Sequence, residues 1–572
     1  MINYKEQIAK VLFEAEIGLE FEEIMSMVEV PTDEKMGDYA FPCFKLAKVL
    51  RKAPPMIAKD VASKIAENSL FEKVESVNAY VNMFLSKEGF MEHVLQDVIK
   101  LGDSYGRSDL GAGKKVIVEY SSPNIAKPFH IGHIRSTVIG NALYKLYDYL
   151  GYDTVRINHL GDYGTQFGKM ICAYRRWGNK DDVIREPIKT LLSYYTKFHE
   201  EVETHPELDD EARAIFVALE NGAPEEVELW QWFRDESLKE FNRVYDMLGI
   251  EFDSYAGESF YSDKMPAIVQ ELEDKGLLQE SQGAEIVDLS EYNMSPALIK
   301  KSDGSTLYIT RDIAAAVYRK NHYDFYKNLY IVASQQNLHF QQWIKIIELM
   351  GYEWAKDCVH IPFGLVSLAE GTMSTRHGRV VFLEDVLNRA VEQTKEIIKE
   401  KNVNTENIDE TAKMVGIGAV IFQELSNNRI KDYVFNWDKV LNFEGETGPY
   451  VQYTHARACS VLRNAGDDTV KKALELKAES MKYLTGEASY RLVKELYDFP
   501  QVIVDAAEKY EPSVLTRHIV DMAQSFNKFY HEEHILVDNE EEKLAKLALV
   551  YAAKTAIKNG LGLLGMKAPE KM

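Results

Sequence analysis

The sequence predicts an α/β protein whose central domain is a doubly wound parallel sheet, preceded by an α+β domain and followed by an all-α helical bundle. The central domain is predicted because residues 116–160 follow the order strand, helix, strand, which is typical of a βαβ unit in a parallel sheet. The bundle is predicted because apolar residues recur at helical spacing almost throughout from about residue 390 to the end.

The N-terminal domain is predicted from a mixture of patterns. Residues 2–16 and 56–67 have the spacing of amphipathic helices, whereas 74–85 alternates as a strand does. The polar, glycine-containing stretch 102–115 follows, and it indicates a linker at a domain boundary.

The central sheet is predicted from short runs rich in β-branched residues. The first two strands, 116–122 and 154–160, flank a helix that stops near Gly151. Later runs complete a Rossmann-like sheet: 306–310, 328–334 and 358–363. The acidic, aromatic-rich stretch between the two halves is mainly helical in pattern and indicates an insertion.

A chain of 572 residues is long enough for roughly three or four domains. The predicted segments are an N-terminal domain (1–110), a sheet domain formed by 113–180 and 291–390, a helical insertion (181–290), a helical connecting segment (391–447) and a helical bundle (448–572). The composition, 46% apolar and 27% charged, excludes a mostly disordered chain, a collagen-like chain and a small disulfide scaffold.

Several features bear on location. No run of about 18 uninterrupted apolar residues occurs, so the sequence predicts no membrane span and no membrane partner. The N-terminus has no pattern of a secretory signal. The four cysteines are scattered and form no CxxC pair, which fits a reducing cytoplasm and disfavours a protein-bound zinc site.

The net charge of −23 argues, on its face, against a protein that binds nucleic acid, because phosphate contacts need Lys and Arg. The charge is uneven, however. Residues 450–572 carry 18 acids and 17 bases, which leaves room for a local basic face in the C-terminal part.

The strongest functional signal is the loop EYSSPNIAKPFHIGHIR, residues 119–135. His130 and His133 stand on the first turn of a helix after a parallel strand, where free N–H groups and the helix dipole favour anions. Gly132 allows a nucleotide to approach the backbone, and Lys127 adds a positive charge. Half of a metal site or ordinary surface histidines are the alternatives; the strand, the loop and Lys127 together favour phosphate binding.

A second signal is GTMSTRHGR, residues 371–379, after the last predicted strand. Ser374, Thr375 and the two arginines offer hydroxyl and guanidinium donors, and such a loop could close over a polyphosphate. Taken alone, the stretch fits an exposed basic turn better.

Together the two signals resemble the class I aminoacyl-tRNA synthetases, whose signatures are HIGH and KMSKS. Further blocks resemble the arginyl-tRNA synthetase family: VEYSSPNIAKPFHIGHIRST, RINHLGDYGTQFG, LYITRD, ASQQNLHF, EGETGPYVQYTHAR and NGLGLLGMKAPEKM. The resemblance runs from about residue 74 to Met572 and implies an arginine–tRNA ligase. It implies L-arginine, ATP accompanied by Mg²⁺, and tRNA(Arg) as substrates, with tRNA required for adenylate formation.

The resemblance also implies roles at the two signatures. The catalytic residues would be Lys127, His130, His133, Ser374 and Arg376. The ATP-binding residues would be Lys127, His130, Gly132, His133, Met373 and Ser374. KMSKS reads TMSTR here, so both signature lysines are missing, and either Lys127 or Arg376 would supply the charge that faces pyrophosphate.

Arginine is a demanding substrate, because a planar guanidinium with five donors is best read by carboxylates. By resemblance, Asp312 and Glu258 are those acids, and Tyr308 shares a face with Asp312 if the turn between them is helical. Asn124, Gln336 and Glu119 match the remaining pocket positions. The alternatives are an N-cap for Asp312 and a solvated loop acid for Glu258.

For tRNA, Tyr453 and Arg457 lie on an amphipathic stretch that resembles the family's anticodon-binding bundle, and its tyrosines could stack on unpaired bases. A core role is the alternative for each tyrosine. In the N-terminal domain, Tyr80 and Asn82 match positions that contact the tRNA D-loop in relatives. The rival functions are another synthetase or nucleotidyltransferase of the superfamily, and an inactive tRNA- or nucleotide-binding paralogue. A monomer in the cytoplasm is expected.

Overall fold

A computed structural model describes residues 3–301, 308–368, 381–400, 407–442, 445–484 and 486–572. The chain forms two compact units. The first unit comprises Met1–Tyr105, Thr454–Pro500 and Asp521–Asn559, and the second comprises Gly106–Tyr453, Gln501–Val520 and Gly560–Met572.

The N-terminal part of the first unit is an α+β fold, as predicted. Its elements are α1 (Tyr4–Glu14), α2 (Phe21–Met27), β1 (Tyr39–Pro42), α3 (Leu46–Leu50), α4 (Pro54–Ile65), β2 (Phe71–Val77), β3 (Tyr80–Leu85) and α5 (Lys87–Leu101). The three strands form an antiparallel sheet in the order β1-β3-β2. The single strand predicted over 74–85 is wrong. The stretch is most of a hairpin that turns at Asn78 (φ +53°), a residue that tolerates the left-handed conformation.

The second unit begins with the βαβ unit and the insertion. The elements are β4 (Lys115–Glu119), α6 (Ile134–Tyr149), β5 (Asp153–Ile157), α7 (Thr165–Trp177), α8 (Lys180–Arg185), α9 (Pro187–Val202), α10 (Glu207–Glu220), α11 (Pro224–Leu248), α12 (Glu258–Tyr261), α13 (Met265–Asp274), β6 (Gln279–Ser281), β7 (Ala284–Val287) and β8 (Ala297–Lys300). The insertion (181–290) was expected to be mainly helical, and its end also carries β6 and β7. These strands form an antiparallel sheet, in the order β6-β7-β8, with β8 of the segment predicted to belong to the parallel sheet.

The remaining elements complete the sheet and form the helical C-terminal part. They are α14 (Tyr308–Tyr323), β9 (Lys327–Ala333), α15 (Asn337–Leu349), β10 (Cys358–Phe363), β11 (Val366–Leu368), α16 (Leu383–Glu400), α17 (Ile408–Ser426), β12 (Tyr433–Phe435), α18 (Trp437–Val440), α19 (Gly448–Ala465), α20 (Asp467–Leu474), α21 (Glu487–Glu508), α22 (Ser513–Glu532) and α23 (Glu540–Leu563). None of the helices in the described ranges is long and apolar enough to cross a membrane.

The central sheet has four parallel strands in the order β10-β9-β4-β5. On one face, Ile117 packs in a buried cluster that includes Ile313 of α14 and Trp343 of α15. Val116 and Val118 are fully buried as well, and α6 contacts β4, β5 and β9. Because the connections diverge on either side of β4 and β9, the carboxyl ends of these two strands form a crevice of the kind that binds ligands in open α/β sheets.

The strand predicted over 306–310 is wrong, because Tyr308, Ile309 and Thr310 form the first turn of α14. Residues 306–307 lie outside the described ranges. The five-residue run is rich in residues that favour strands, but Ile309 and Ile313 are both buried. Their spacing of four residues continues a helical pattern that the short window did not capture.

Candidate active site

The two histidines predicted to bind phosphate cap each other at the start of α6. They belong to a short 3-10 turn, Ile131–His133, that leads directly into the helix. The N–H of Gly132 donates to Nδ1 of His130 at 3.0 Å, and the N–H of His130 donates to Nδ1 of His133 at 3.1 Å. The two ring centroids lie 4.0 Å apart.

This reciprocal capping determines where the rings carry their protons. Nδ1 of His130 accepts, so the proton of the neutral ring is on Nε2. The same holds for His133, whose Nδ1 is closer to the N–H of His130 than to its carbonyl oxygen, at 3.3 Å. Burial lowers the pKa of both rings, to about 3 for His133, where His130 and Lys127 add to the effect. Near pH 7 each ring therefore offers one Nε2–H donor.

The loop between β4 and this turn contains three non-glycine residues in the left-handed region: Ser121 (φ +70°), Ser122 (φ +48°) and Ala126 (φ +58°). Such residues persist only where surrounding contacts hold them. The N–H of Ser122 donates to Asn158 at 3.2 Å, and the N–H of Ala126 donates to Ser237 at 3.2 Å. Neighbouring elements therefore fix the shape of the loop.

The chain returns to the histidine turn after the second predicted signal. The N–H of Ile131 donates to the carbonyl of Val381 at 3.1 Å, and the N–H of Leu383 donates to the carbonyl of Phe129 at 2.9 Å. The predicted residues Met373, Ser374 and Arg376 lie outside the described ranges. The segment that follows them is thus hydrogen-bonded to the turn that carries the two histidines.

Four carboxylates lie near the carboxyl ends of β4 and β5 and the start of α14. They are Glu119, Asp162, Glu258 and Asp312; the charges of Asp162 and Asp312 act on the pKa of both Glu258 and His159, and that of Glu119 acts on the pKa of His159. Three of them form ion pairs with arginines: Glu119 with Arg319 at 2.5 Å, Asp162 with Arg234 at 3.1 Å and Glu258 with Arg311 at 3.4 Å.

Asp312 is the exception. Its Oδ2 lies 2.5 Å from Nε2 of His339 on α15, and within the described part of the chain no other side chain forms an ion pair or hydrogen bond with it. Tyr308, one turn earlier on α14, is 56% exposed. Among the described residues, Asp312 is thus the one acid of the four that no arginine neutralises, which leaves a carboxylate for a single guanidinium.

Glu258 is the acid whose ionisation is most disturbed. The pKa of its carboxyl is raised to about 7, chiefly by burial; Arg311 opposes the shift, whereas Asp312 and Asp162 contribute to it. A guanidinium bound beside Glu258 would favour the ionised form. Glu258 is therefore poised between its charged and neutral forms near physiological pH.

The loop that carries Asn124 and the turn that carries Glu258 are both hydrogen-bonded to the backbone of residues 160–161. The N–H of Ile125 donates to the carbonyl of Gly161 at 3.1 Å, and the N–H of Glu258 donates to the carbonyl of Leu160 at 2.9 Å. A Cβ at Gly161 would lie too close to Oδ1 of Asn124, so a larger residue there would displace the Asn124 amide.

The remaining pocket residues lie at strand ends, as expected from sequence. Gln336 ends a 3-10 turn directly after β9, and its side chain is exposed. Asn124 and Lys127 are exposed on the loop that follows β4. Exposed polar groups at the ends of β4 and β9 thus surround the crevice, whereas the paired side chains of Glu119 and Arg319 are buried.

The residues predicted to bind tRNA lie on helix α19 and on strand β3. Tyr453 is 39% exposed, and Arg457, one turn later, donates to Asn527. Tyr80 is half-buried, with its ring 5.5 Å from the exposed ring of Phe44. Asn82 is buried, and its amide contacts the sulfur of Met36 at 3.6 Å.

Sequence reasoning missed the partners of the acids. None of the five partners was singled out, although His159, Arg311 and His339 belong to the blocks RINHLGDYGTQFG, LYITRD and ASQQNLHF; the other two are Arg234 and Arg319. Their partners stand up to 200 residues away. No local pattern could have signalled such pairs, apart from the general need of a buried acid for a cation.

Comparison with known proteins identifies families that match this chain. A family model described as tRNA synthetases class I (R), catalytic domain, matches residues 94–437. A model of the arginyl tRNA synthetase N terminal domain matches residues 3–85, and one of the DALR anticodon binding domain matches residues 451–572. The three models together span nearly the entire chain.

Two curated relatives are similar over their full length. An arginine–tRNA ligase of Halothermothrix orenii is 60% identical and one of Clostridioides difficile is 59% identical, each over 100% of both chains. The solved arginyl-tRNA synthetase of Thermus thermophilus shares the fold, with a TM-score of 0.79 and 24% identity over 99% of this chain and 100% of that chain. The catalytic-domain match and the end-to-end relatives show that this chain belongs to the arginyl-tRNA synthetase family of class I aminoacyl-tRNA synthetases.

Proposed function

We propose that this chain joins L-arginine to tRNA(Arg) with consumption of ATP, in the crevice at the carboxyl ends of β4 and β9. The observation that carries the proposal is the charge arrangement of the crevice. Among its four acids, Asp312 is the one without an arginine partner in the described structure, and two histidines whose Nδ1 atoms accept backbone N–H groups precede the adjoining helix.

Recognition of arginine would rest on Asp312 and Glu258, because two carboxylates can meet a planar guanidinium from different directions. The exposed ring of Tyr308 would cover the guanidinium, and Asn124 and Gln336 would bind the amino and carboxylate ends. Lysine would lose the paired contacts, since its ammonium is a point charge on a flexible stem. Glu119 would act from beneath the pocket, because its carboxylate is buried and bonded to Arg319 at 2.5 Å, whereas Glu258 is more exposed and lies farther from its arginine.

ATP would lie against the histidine turn. In the first step the arginine carboxylate attacks the α-phosphorus, and pyrophosphate leaves. The Nε2–H donors of His130 and His133 would stabilise the charge that develops on the phosphoryl oxygens. Lys127 on the preceding loop, or Arg376 in the segment outside the described ranges, would bind pyrophosphate, with Met373 and Ser374 beside the nucleotide.

In the second step a terminal adenosine hydroxyl of tRNA, the 2′-hydroxyl by resemblance to the class, attacks the acyl carbon and AMP leaves. No protein nucleophile is required, so catalysis depends on positioning and charge stabilisation. Mg²⁺ would supply further neutralisation of the phosphates. Because no three His, Cys, Asp or Glu side chains of the described residues converge as metal ligands, we propose that ATP and water hold the ion.

The tRNA would contact the N-terminal domain and helix α19 of the C-terminal part. Tyr80 with the exposed Phe44 offers an aromatic pair that could stack on loop bases, and Tyr453 and Arg457 lie on the helix expected to meet the anticodon. Asn82 would first have to separate from Met36, since its amide is buried. We further propose that the enzyme acts as a monomer in the cytoplasm.

The test is arginine-dependent exchange of labelled pyrophosphate into ATP, measured with and without tRNA(Arg) and with lysine as the control amino acid. Exchange with arginine only when tRNA is present would support both the substrate and the tRNA requirement. Exchange without tRNA would remove that requirement and keep the ligase. No exchange under any condition, with folded protein, would contradict the proposal and favour an inactive paralogue.

A further inference from the structure

His339 lies beside Asp312, an acid that is proposed to bind the guanidinium of the substrate. It lies on the first turn of α15, and its Nε2 is 2.5 Å from Oδ2 of Asp312 on α14. An ionised carboxylate has only acceptors, so this contact requires that Nε2 carry the proton and donate it. The hydrogen bond joins the two helices that flank β9.

Aromatic neighbours fix the imidazole. The ring centroid of Tyr308 lies 4.6 Å from that of His339 at an interplanar angle of 48°, and Phe340 meets it edge-on at 5.8 Å. The side chain of His339 is 10% exposed, whereas that of Asp312 is 32% exposed. The histidine is therefore packed in place, while part of the Asp312 side chain stays accessible.

The identity of the partner distinguishes Asp312 from the other acids. Glu119, Asp162 and Glu258 each face an arginine, which carries a permanent charge. A histidine can donate the same kind of hydrogen bond as an uncharged ring. Asp312 is thus oriented without a permanent cation to cancel its charge.

We infer that His339 is a positioning residue of the arginine pocket: its Nε2–H holds one oxygen of Asp312 and leaves the other oxygen, with the carboxylate charge, for the substrate guanidinium. The inference rests on the proposed role of Asp312 and extends it to a residue that does not touch the substrate. Restraint of the carboxylate before arginine arrives lowers the cost of ordering it on binding.

Two substitutions separate positioning from packing. His339→Phe keeps a ring between Tyr308 and Phe340 and removes the donor. His339→Gln loses the ring and keeps an amide N–H at about the reach of Nε2. The matched control is His205→Gln, because Nδ1 of His205 contacts the Glu207 carboxylate at 3.0 Å on an exposed surface. Pyrophosphate exchange with tRNA(Arg) present gives the KM values for arginine and ATP, and kcat.

We expect His339→Phe to raise the arginine KM by about tenfold, because a hydrogen bond to a charged group is lost, with the ATP KM within about twofold of the parent. His339→Gln should stay within about threefold of the parent in both constants, and His205→Gln should match the parent.

The reverse order, with His339→Gln impaired and His339→Phe unaffected, would overturn the inference, because packing would then be what matters. A parallel rise of the arginine and ATP KM values would overturn it too. Parent enzyme without arginine-dependent exchange would instead refute the proposed function, and the role of His339 with it. A double-mutant cycle with Asp312→Asn should remove the His339→Phe effect on the arginine KM.

Discussion

Asp162 holds Ser259 through both oxygens of its carboxylate. The Ser259 N–H donates to Oδ1 at 2.8 Å, and the Ser259 hydroxyl donates to Oδ2 at 3.0 Å. Arg234 of α11 donates to Oδ2 as well, at 3.1 Å, and a Cβ at Gly257 would lie 2.6 Å from Oδ1. A fully buried carboxylate therefore determines the turn that presents Glu258, and a helix of the insertion supports it.

Asp162→Asn should impair arginine recognition more than ATP recognition. The amide oxygen can still accept from Ser259, but the charge that pairs with Arg234 is lost, so the Glu258 turn loosens. We expect the arginine KM to rise about tenfold, or about 1.4 kcal/mol, which is close to the lower end of the range of about 1.5–3 kcal/mol for a hydrogen bond to a charged group. The ATP KM should change by less than about threefold.

Exchange kinetics at varied arginine and varied ATP measure both constants. Glu225→Gln is the control, because Glu225 is a strongly exposed acid at the start of α11, the helix that carries Arg234. Equal changes in the two constants would show that Asp162 supports the whole crevice and not the Glu258 turn in particular.

Glu258 predicts a pH dependence. Its pKa of about 7 means that the carboxylate is charged above pH 7 and neutral below it. The kcat/KM for arginine should therefore fall on the acid side of pH 7, about tenfold per pH unit at the limit. Glu258→Gln should have a low kcat/KM without this acid limb, and a profile that keeps the limb in Glu258→Gln would assign it to another group.

The same shift has the opposite consequence for stability. The carboxyl has a higher pKa in the folded chain than the ordinary value of 4.5. Its titration therefore lowers the free energy of unfolding as the pH rises from 4.5 through 7, and the chain is not destabilised by it below pH 4.5. Urea unfolding should show Glu258→Gln gaining stability relative to the parent between pH 5 and pH 8. The ionised Glu258 thus lowers the stability of the folded chain and provides a charge that can bind arginine.

Ser237→Ala tests how the loop between β4 and the histidine turn, with its three left-handed residues, is held in shape. The Ser237 hydroxyl accepts from the buried N–H of Ala126 and donates to the carbonyl of Phe233 at 2.7 Å. Its removal leaves the N–H of Ala126 unsatisfied, at a cost of about 1–3 kcal/mol in the free energy of unfolding. Ser193→Ala, which removes an exposed hydroxyl bonded to Thr190, should cost far less.

The loop leads into the histidine turn, so Ser237→Ala should also lower kcat in pyrophosphate exchange. Urea unfolding and exchange rates on the same preparation would measure both effects. A loss of stability with kcat unchanged would mean that the loop keeps its shape without this hydrogen bond.

Sequence patterns predicted those parts of the site whose signal is local. The βαβ unit and the turn of His130 and His133 follow from periodicity over about 45 residues. Asp312 and Glu258 could be assigned only through the family resemblance, because a single acid in a loop or a first helical turn has no distinctive local pattern.

The rest depends on contacts between residues that are distant in sequence. Arg319 meets Glu119 from 200 residues away, and the neighbours of such a pair are set by packing of whole elements. The segment 306–310 shows the same limit in secondary structure, since a run of five residues did not reveal that Ile309 and Ile313 share the buried face of a helix.

The last prediction concerns a fully buried ion pair behind the histidine turn. Nε of Arg135, on the first turn of α6, lies 3.6 Å from Oε2 of Glu424 on α17, and both side chains are 0% exposed. The guanidinium also donates to three carbonyl oxygens: Gly364 at 3.0 Å, Lys431 at 2.8 Å and Arg429 at 3.2 Å. The hydroxyl of Tyr433 donates to Glu424.

Arg135→Met should lower the free energy of unfolding by about 3–5 kcal/mol at pH 8, because it strands a buried carboxylate. Burial raises the pKa of Glu424 to about 7 even with Arg135 and Tyr433 opposing the shift. A lone carboxyl would therefore protonate more readily, and the loss should shrink at pH 6. Glu424→Gln keeps the three carbonyl bonds, so it should cost less at pH 8 than Arg135→Met, and its stability should decline less than that of the parent as the pH rises from 5 to 8.

Urea unfolding midpoints of the parent, both single variants and the double variant at pH 6 and pH 8 test this assignment. The double variant should be more stable than Arg135→Met at pH 8, because it no longer buries an unpaired carboxylate. Arg156→Met, which removes an arginine paired with the exposed Asp253, serves as the control and should be milder at both pH values. If Arg135→Met loses the same stability at pH 6 as at pH 8, the carbonyl hydrogen bonds and not the charge of Glu424 account for the role of Arg135.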